Sequence, residues 1–233
     1  KGLYELQPFN RLVKRYIANP SNKDSLSSGM ISTIMRGPQG KVWIGTSDGL
    51  NIFDPITEKF EVLRAKDLPG LKGTAIIPLY IDTLRHTAWL NAGSQDTFEK
   101  YFGMQMYEMD LRTMQCKPVV FKIGTKQLDK FVISHALIRP YEDGIIFPEE
   151  KTRTVFELKR GNLVANPLFQ APSTSGYGGM LPVEGRYIFV QHGGPLPNST
   201  YEKVNGKWIK IPHVLDTLNW GNIIYSAKDK TYW

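Results

Sequence analysis

"GKVWIGTSDGLNIFDP", Gly40 to Pro55, decides how the rest of the chain is read. Two short apolar runs flank a turn that contains glycine, and neither run has helical spacing, so each reads as a strand. The pattern recurs. A run, a turn and a second run follow one another in "MISTIMRGPQGKVWIGT", "IIPLYIDTLRHTAWLNAG", "HALIRPYEDGIIFPEE", "GMLPVEGRYIFVQHGG" and "NIIYSAKDKTYW". Aligning the second runs brings Trp43, Trp89, Ile146, Phe189 and Trp233 to matching positions, with separations of 46, 57, 43 and 44 residues.

Further hairpins fill the space between these pairs. Turns are predicted at Asp54 to Glu58, at Asp110 to Thr113 within "MQMYEMDLRTMQCKPVVF", at Lys159 to Gly161, and at Asn205-Gly206, where both central residues of the tight turn need positive φ. Four strands per unit at a period in the forties is the signature of propeller blades, small sheets that bury their faces only against neighbours. An ordinary sandwich also has frequent turns, but it does not predict the same four-strand grammar repeating. The expectation is therefore an all-β protein, a β-propeller of about five four-stranded blades within a single 1–233 domain. Four whole blades fall near 30–65, 75–124, 133–170 and 180–213, with 1–18 and 222–233 as parts of a split or neighbouring blade. Lys1-Gly2-Leu3 corresponds to Asp48-Gly49-Leu50, and Trp233 to Trp43, so the two ends meet inside one repeat. A closed five-bladed ring and an arc of a larger ring are both compatible with this, and the chain reads as a segment of a longer propeller-bearing protein.

At 233 residues, with 41% apolar and 12% aromatic side chains, the chain can bury a substantial core. No run approaches 18 consecutive apolar residues, and "KGLYELQPFN" has no stretch of signal length, so neither a membrane span nor membrane contact by this segment is expected. The formal charge of +7 favours acidic partners, yet Lys and Arg are spread along the chain rather than gathered in a stripe, which argues against nucleic acid. The lone Cys116 reads as a packed, small apolar side chain.

The stretch from Asn19 to Leu63, "NPSNKDSLSSGMISTIMRGPQGKVWIGTSDGLNIFDPITEKFEVL", resembles the two-component regulator propeller repeat of the sensor regions of hybrid two-component systems in Bacteroidetes. The matching pieces are Ser25-Leu26-Ser27-Ser28, Gly40, Trp43-Ile44-Gly45-Thr46, Gly49-Leu50 and Phe53-Asp54-Pro55, and "KGLYEL" is similar to the tail of a preceding copy. Beyond residue 65 the strand grammar persists without the Trp-Ile-Gly-Thr signature. The motif is structural: Trp43, and Trp89 and Trp233 after it, should fill the interface between adjacent blades, Gly45 should admit neighbouring backbone, and Gly49 should supply an unusual turn.

Function on a rigid scaffold tends to reside in loops, and the long ones here share a face of the expected propeller. Asp96, Tyr101, Glu149, Arg153, Tyr177 and His192 are the candidate ligand contacts, since aromatics stack on a sugar face while carboxylates and Arg bond its hydroxyls. His86, His135, His192 and His213 show no metal-ligand spacing, and no nucleophile or phosphate-cradling motif is present, so no catalytic residue, metal or cofactor is expected. The resemblance implies a non-enzymatic sensory module in the periplasm, part of an inner-membrane-anchored parent sensor that carries a histidine kinase, detecting an oligosaccharide or another small ligand, with an acidic one suggested by the charge. A propeller lyase or glycoside-active enzyme, with His192 and Glu149 the nearest to a catalytic pair, and an interaction scaffold holding a homodimer together are the alternatives.

Overall fold

The structure, a computed structural model, describes residues 3–7, 12–19, 21–96, 104–128, 133, 138–149, 151–170, 180–183, 186–189, 199–212, 225–226 and 231–232. The chain divides into two compact units, 1–120 and 121–233.

In the first unit β1 (Leu3–Gln7) and β2 (Leu12–Tyr16) form an antiparallel pair. Two four-stranded antiparallel meanders follow: β3 (Ile31–Arg36), β4 (Val42–Thr46), β5 (Gly49–Asp54) and β6 (Lys59–Leu63), then β7 (Ala75–Asp82), β8 (Thr87–Gly93), β9 (Gln105–Asp110) and β10 (Cys116–Pro118). Two bridges at the start of β7, Thr46 with Ile76 and Gly49 with Ala75, join it to the β4–β5 turn of the first meander.

β4, β5 and β8 are buried along both faces, which explains why their sequences run apolar instead of alternating. One face of the first meander sends Trp43, Leu50 and Ile52 into a cluster with Ile76, Ala88, Leu90 and Met109 of the second. The other face places Ile44, Phe53 and Phe60 against Leu26 and Tyr16. Tyr16 meets Phe53 and Phe60 edge-on at 4.9 and 5.6 Å. Each such buried side chain contributes about 1.5–3 kcal/mol. Trp89, which stands where Trp43 does one meander earlier, is equally buried and lies beside Tyr80, its ring centroid 6.0 Å away.

Gly45 is tight for a different reason from the one its sequence suggests. A Cβ there would meet side-chain atoms of Pro78, Ser32 and Thr33 at 2.7–2.8 Å, so the glycine admits a neighbouring strand's proline ring rather than its backbone. Gly49 does take the predicted unusual conformation, with φ +97°. The predicted hairpins form at Asp54 and Asp110, where Glu58 and Met114 adopt φ +58° and +60°. The strand expected through "CKPVVF" is divided: Val119 donates its N–H to Met106 at 2.9 Å, and the next residues leave for another sheet.

In the second unit β11 (Val120–Ile123) and β12 (Lys126–Gln127) flank a meander of β13 (Arg139–Tyr141), β14 (Gly144–Pro148), β15 (Thr154–Lys159) and β16 (Val164–Gln170), in the order β12-β11-β16-β15-β14-β13. A further meander comprises β17 (Met180–Val183), β18 (Arg186–Phe189), β19 (Ser199–Val204) and β20 (Lys207–Ile211), and β21 (Tyr225–Ser226) pairs with β22 (Thr231–Tyr232). Ile146, aligned by sequence with Trp43, enters a cluster with Val155, Phe169, Tyr201 and Trp208 that joins the two meanders. The opposite face of β14 and β15 holds Phe121, Phe147 and Phe156 in edge-on contacts of 5.4–5.9 Å. Asn205 and Gly206 both have positive φ, 50° and 78°, as the hairpin turn requires. Trp233 lies outside the described residues.

Candidate functional site

The connector entering β3, described over residues 17–19 and 21–30, is held in place by short polar side chains. Ser25 Oγ accepts from the Asn19 N–H at 3.1 Å and donates to the Asn22 carbonyl at 2.7 Å. Leu26, 1% exposed, anchors the next step in the core. Asn51, buried in β5, accepts from the Ser27 N–H at 2.8 Å and donates to Ser27 Oγ at 2.7 Å and Thr46 Oγ1 at 3.3 Å. Thr46 Oγ1 in turn donates to the Gly49 carbonyl at 2.8 Å, and Ser28 and Ser47 share a 2.8 Å hydroxyl bond. A buried carboxamide is satisfied here by the connector and the tight turn that it joins. The second meander repeats the device with a different side chain: the Tyr107 hydroxyl accepts from the N–H of Lys72, in the connector before β7, at 3.2 Å. Burial pushes the Tyr107 phenol upward from its ordinary pKa, and the Lys72 amide only partly opposes this.

A cleft of about 660 Å³ opens between this connector, the Asp48 turn and the outer strand β6. Its polar rim includes Asn22, Lys23, Asp24, Asp48, Glu61 and Arg64. Arg64 and Asp48 form a two-pronged ion pair at 2.9 and 3.3 Å, which raises the Arg64 pKa, and Asp24 lies 3.5 Å from Lys59. A second cleft, of about 580 Å³ and confined to the other unit, is bordered by Lys122, Glu157, Lys159 and Asn166. There Glu157 already accepts from Asn166 at 2.8 Å and Lys159 lies 3.5 Å from Glu142.

Of the six residues predicted as ligand contacts, Tyr101, Tyr177 and His192 lie outside the described residues. Asp96, after β8, and Arg153, before β15, are exposed, and they belong to different units. Glu149 is fully buried and closes its own loop: Oε2 accepts from the Thr152 N–H at 2.8 Å and the Thr152 hydroxyl at 2.7 Å, and Oε1 from the Lys151 N–H at 3.2 Å. Arg153 follows with φ +58°. This loop is the Asp54 and Asp110 hairpin rebuilt with a longer acid. In all three an acidic residue caps the turn, Thr stands three residues later, and the fourth residue has positive φ. The spacing acid-x-x-Thr at positions 54, 110 and 149 was the signal in the sequence that distinguishes a turn-former from a ligand contact.

Among the described residues no group of three or more His, Cys, Asp or Glu side chains could hold a metal ion, and no helix is long and apolar enough to cross a membrane.

No protein-family model matches the sequence, and no curated protein does. Solved structures do. The chain is similar in fold to the extracellular domain of BT3049 of B. thetaiotaomicron, described as a hybrid two-component system, with a TM-score of 0.59 and 13% identity over 96% of this chain and 28% of that one. Two structures of the extracellular domain of BT4673 from the same organism, described once as a one-component and once as a hybrid two-component system, each give a TM-score of 0.50. Their identities are 15% and 14%, over the whole of this chain and 36% and 38% of theirs. The chain thus spans about a third of the length of the domains that it matches. At such identities the likeness is one of fold.

Proposed function

We propose that this chain is a run of propeller blades from the periplasmic sensory region of a two-component regulatory protein, anchored in the inner membrane through parts that lie outside it. The module binds a ligand and passes the event to the rest of its parent; it performs no chemistry of its own. The observation that carries this reading is the coincidence of two independent signals. The fold is similar to that of extracellular domains of B. thetaiotaomicron regulatory systems, and in the stretch resembling the propeller repeat Asn51 is hydrogen-bonded to Ser27 while Ile44, Phe53 and Phe60 pack with Leu26. The stacked meanders are the blades in this reading, with Trp43 and Ile146 as the wedges between successive sheets.

The ligand is an oligosaccharide, met by the loops after the second strands and by the connectors. Asp96 in one unit and Arg153 in the other are each proposed as an exposed polar contact of its own loop, Tyr101, Tyr177 and His192 are further proposed contacts, and Glu149 gives its loop the shape that presents Arg153. The surplus of cations favours an acidic sugar. Titration calorimetry of the chain against matched neutral and acidic oligosaccharides tests this. Heat from an acidic member that weakens steeply between low and high salt is expected, and silence from every member, with the chain folded, refutes the sugar reading. Arg153→Ala should then lower the affinity for the acidic member several-fold.

A further inference from the structure

The free edge of β6 carries an opening the size of one amino-acid residue. In an antiparallel pair, residues alternate between exchanging both backbone bonds with the partner strand and turning both away. Phe60, opposite Phe53, turns its N–H away from β5 and donates it to the Asp24 carbonyl of the connector at 3.3 Å. Two residues on, Val62, opposite Asn51, must turn the same way. Two further on, Arg64 N–H is taken by Asp67 Oδ2 at 3.0 Å. The outward N–H groups at 60 and 64 are therefore taken by the protein itself, and the rung between them opens into the 660 Å³ cleft. Those two N–H groups stand about 14 Å apart along the strand, too near for an added strand of several residues to pair in full.

We propose that this cleft binds a short peptide, one residue of which pairs with Val62. An outward N–H and C=O on the same residue are matched by a C=O and N–H that flank one carbon atom, the arrangement of an α-amino-acid residue in an extended chain. A single acetamido group, whose N–H and C=O share one bond, reaches only one of the two. The rim fits such a guest at both ends: Lys23 lies within the same cleft for a carboxylate, and Glu61 for an ammonium group, while Arg64 is held by Asp48. Apolar surface from Val62 remains for the peptide's own side chain. The site is separate from the loop residues proposed above for a sugar.

The test uses the whole 233-residue chain with the probe tri-alanine and its depsipeptide, in which an ester oxygen replaces the central N–H. Calorimetry should show tri-alanine binding, the depsipeptide about tenfold weaker, and Val62→Pro about tenfold weaker for tri-alanine, each having lost one backbone bond. Proline is tolerated on an edge strand where its N–H faces away from the sheet, so the variant should remain folded by circular dichroism. If it does not fold, the depsipeptide comparison on the unaltered chain decides. Absence of tri-alanine binding at millimolar concentration overturns the proposal, and so does equal affinity for the amide and the ester.

Discussion

Asn51 in the first unit and Phe156 in the second occupy the same place in their sheets. Asn51 pairs with Ile44, the residue after Trp43; Phe156 pairs with Phe147, the residue after Ile146. Both are fully buried. Around Asn51 the space is closed by hydrogen bonds to Ser27 and Thr46, and around Phe156 by the rings of Phe121 and Phe147. The repeat keeps position and burial while exchanging the force that fills the slot. The wedge changes as well: a tryptophan on β4 in one unit becomes an isoleucine on β14 in the other, with the aromatic bulk moved to Phe169, Tyr201 and Trp208 opposite it.

The difference sets the sizes of the expected mutational effects. Phe156→Ala removes a ring from a site walled by two others and should cost about 3–5 kcal/mol, since a cavity remains where no side chain can follow. Asn51→Ala leaves the Ser27 amide without its acceptor, while the Ser27 hydroxyl keeps Thr46 Oγ1 at 3.1 Å, and should cost about 1–3 kcal/mol. Midpoints from urea unfolding of the two variants measure both. A loss at Asn51 equal to that at Phe156 would mean that the polar slot is as rigidly packed as the aromatic one, and the contrast would fail. Asn51→Leu sharpens the point: it restores volume without restoring the acceptor for Ser27, and should be no more stable than the alanine variant.

Cys116 offers a kinetic view of the same contrast. It belongs to the Trp43 cluster, is 2% exposed, and burial pushes its thiol up to about 12. Only the thiolate reacts, so the native chain should resist iodoacetamide at pH 8. Trp43→Ala, which removes the largest side chain of that cluster, should speed labelling at least tenfold. An unchanged rate would show that Cys116 is guarded by something other than the packing that Trp43 provides.

How much of this was written in the sequence follows from which force fills each slot. The strand pairs and turns were legible because apolar runs and Asn-Gly, Lys-Arg-Gly or Asp-x-x-Thr turns are local chemistry. Trp43 and Ile146 could be aligned by spacing alone because each sits in the second strand of its meander. The equivalence of Asn51, Tyr107 and Phe156 was hidden, because a carboxamide, a phenol and a phenyl ring share no pattern and only the register of β5, β9 and β15 brings them together. Glu149 was misleading for a related reason. A carboxylate in a long loop invites a ligand, whereas here the backbone of its own loop consumes both oxygens. The division of "CKPVVF" had a local signal, since Lys117 and Pro118 interrupt the apolar run, but that the residues after Val119 join a different sheet is set by tertiary pairing alone.

The smallest effects are expected at the acid-capped turns, and they separate the turns by the oxygens each acid uses. Asp54 and Asp110 each accept both of their turn amides on Oδ1 alone, from Ile56 and Thr57 and from Arg112 and Thr113. Glu149 uses both oxygens, so a Gln there must turn an N–H donor towards another donor, whereas Asn at 54 or 110 keeps its acceptor in place. Glu149→Gln should therefore cost about 1–3 kcal/mol at neutral pH, and Asp54→Asn and Asp110→Asn only a small fraction of that. What the Asn variants change is the response to acid. The amides of Ile56 and Arg112, first among several causes, hold the Asp54 and Asp110 carboxyls below their ordinary pKa. A carboxyl whose pKa is lower in the folded chain stabilises it fully above the unfolded value near 4 and loses that contribution as the pH falls through the folded value. Unfolding midpoints recorded from pH 5 to pH 2 should thus decline less steeply in Asp54→Asn and Asp110→Asn than in the parent chain. An unaltered slope in both would remove charge from the account of these turns and leave their geometry to the positive φ of Glu58 and Met114.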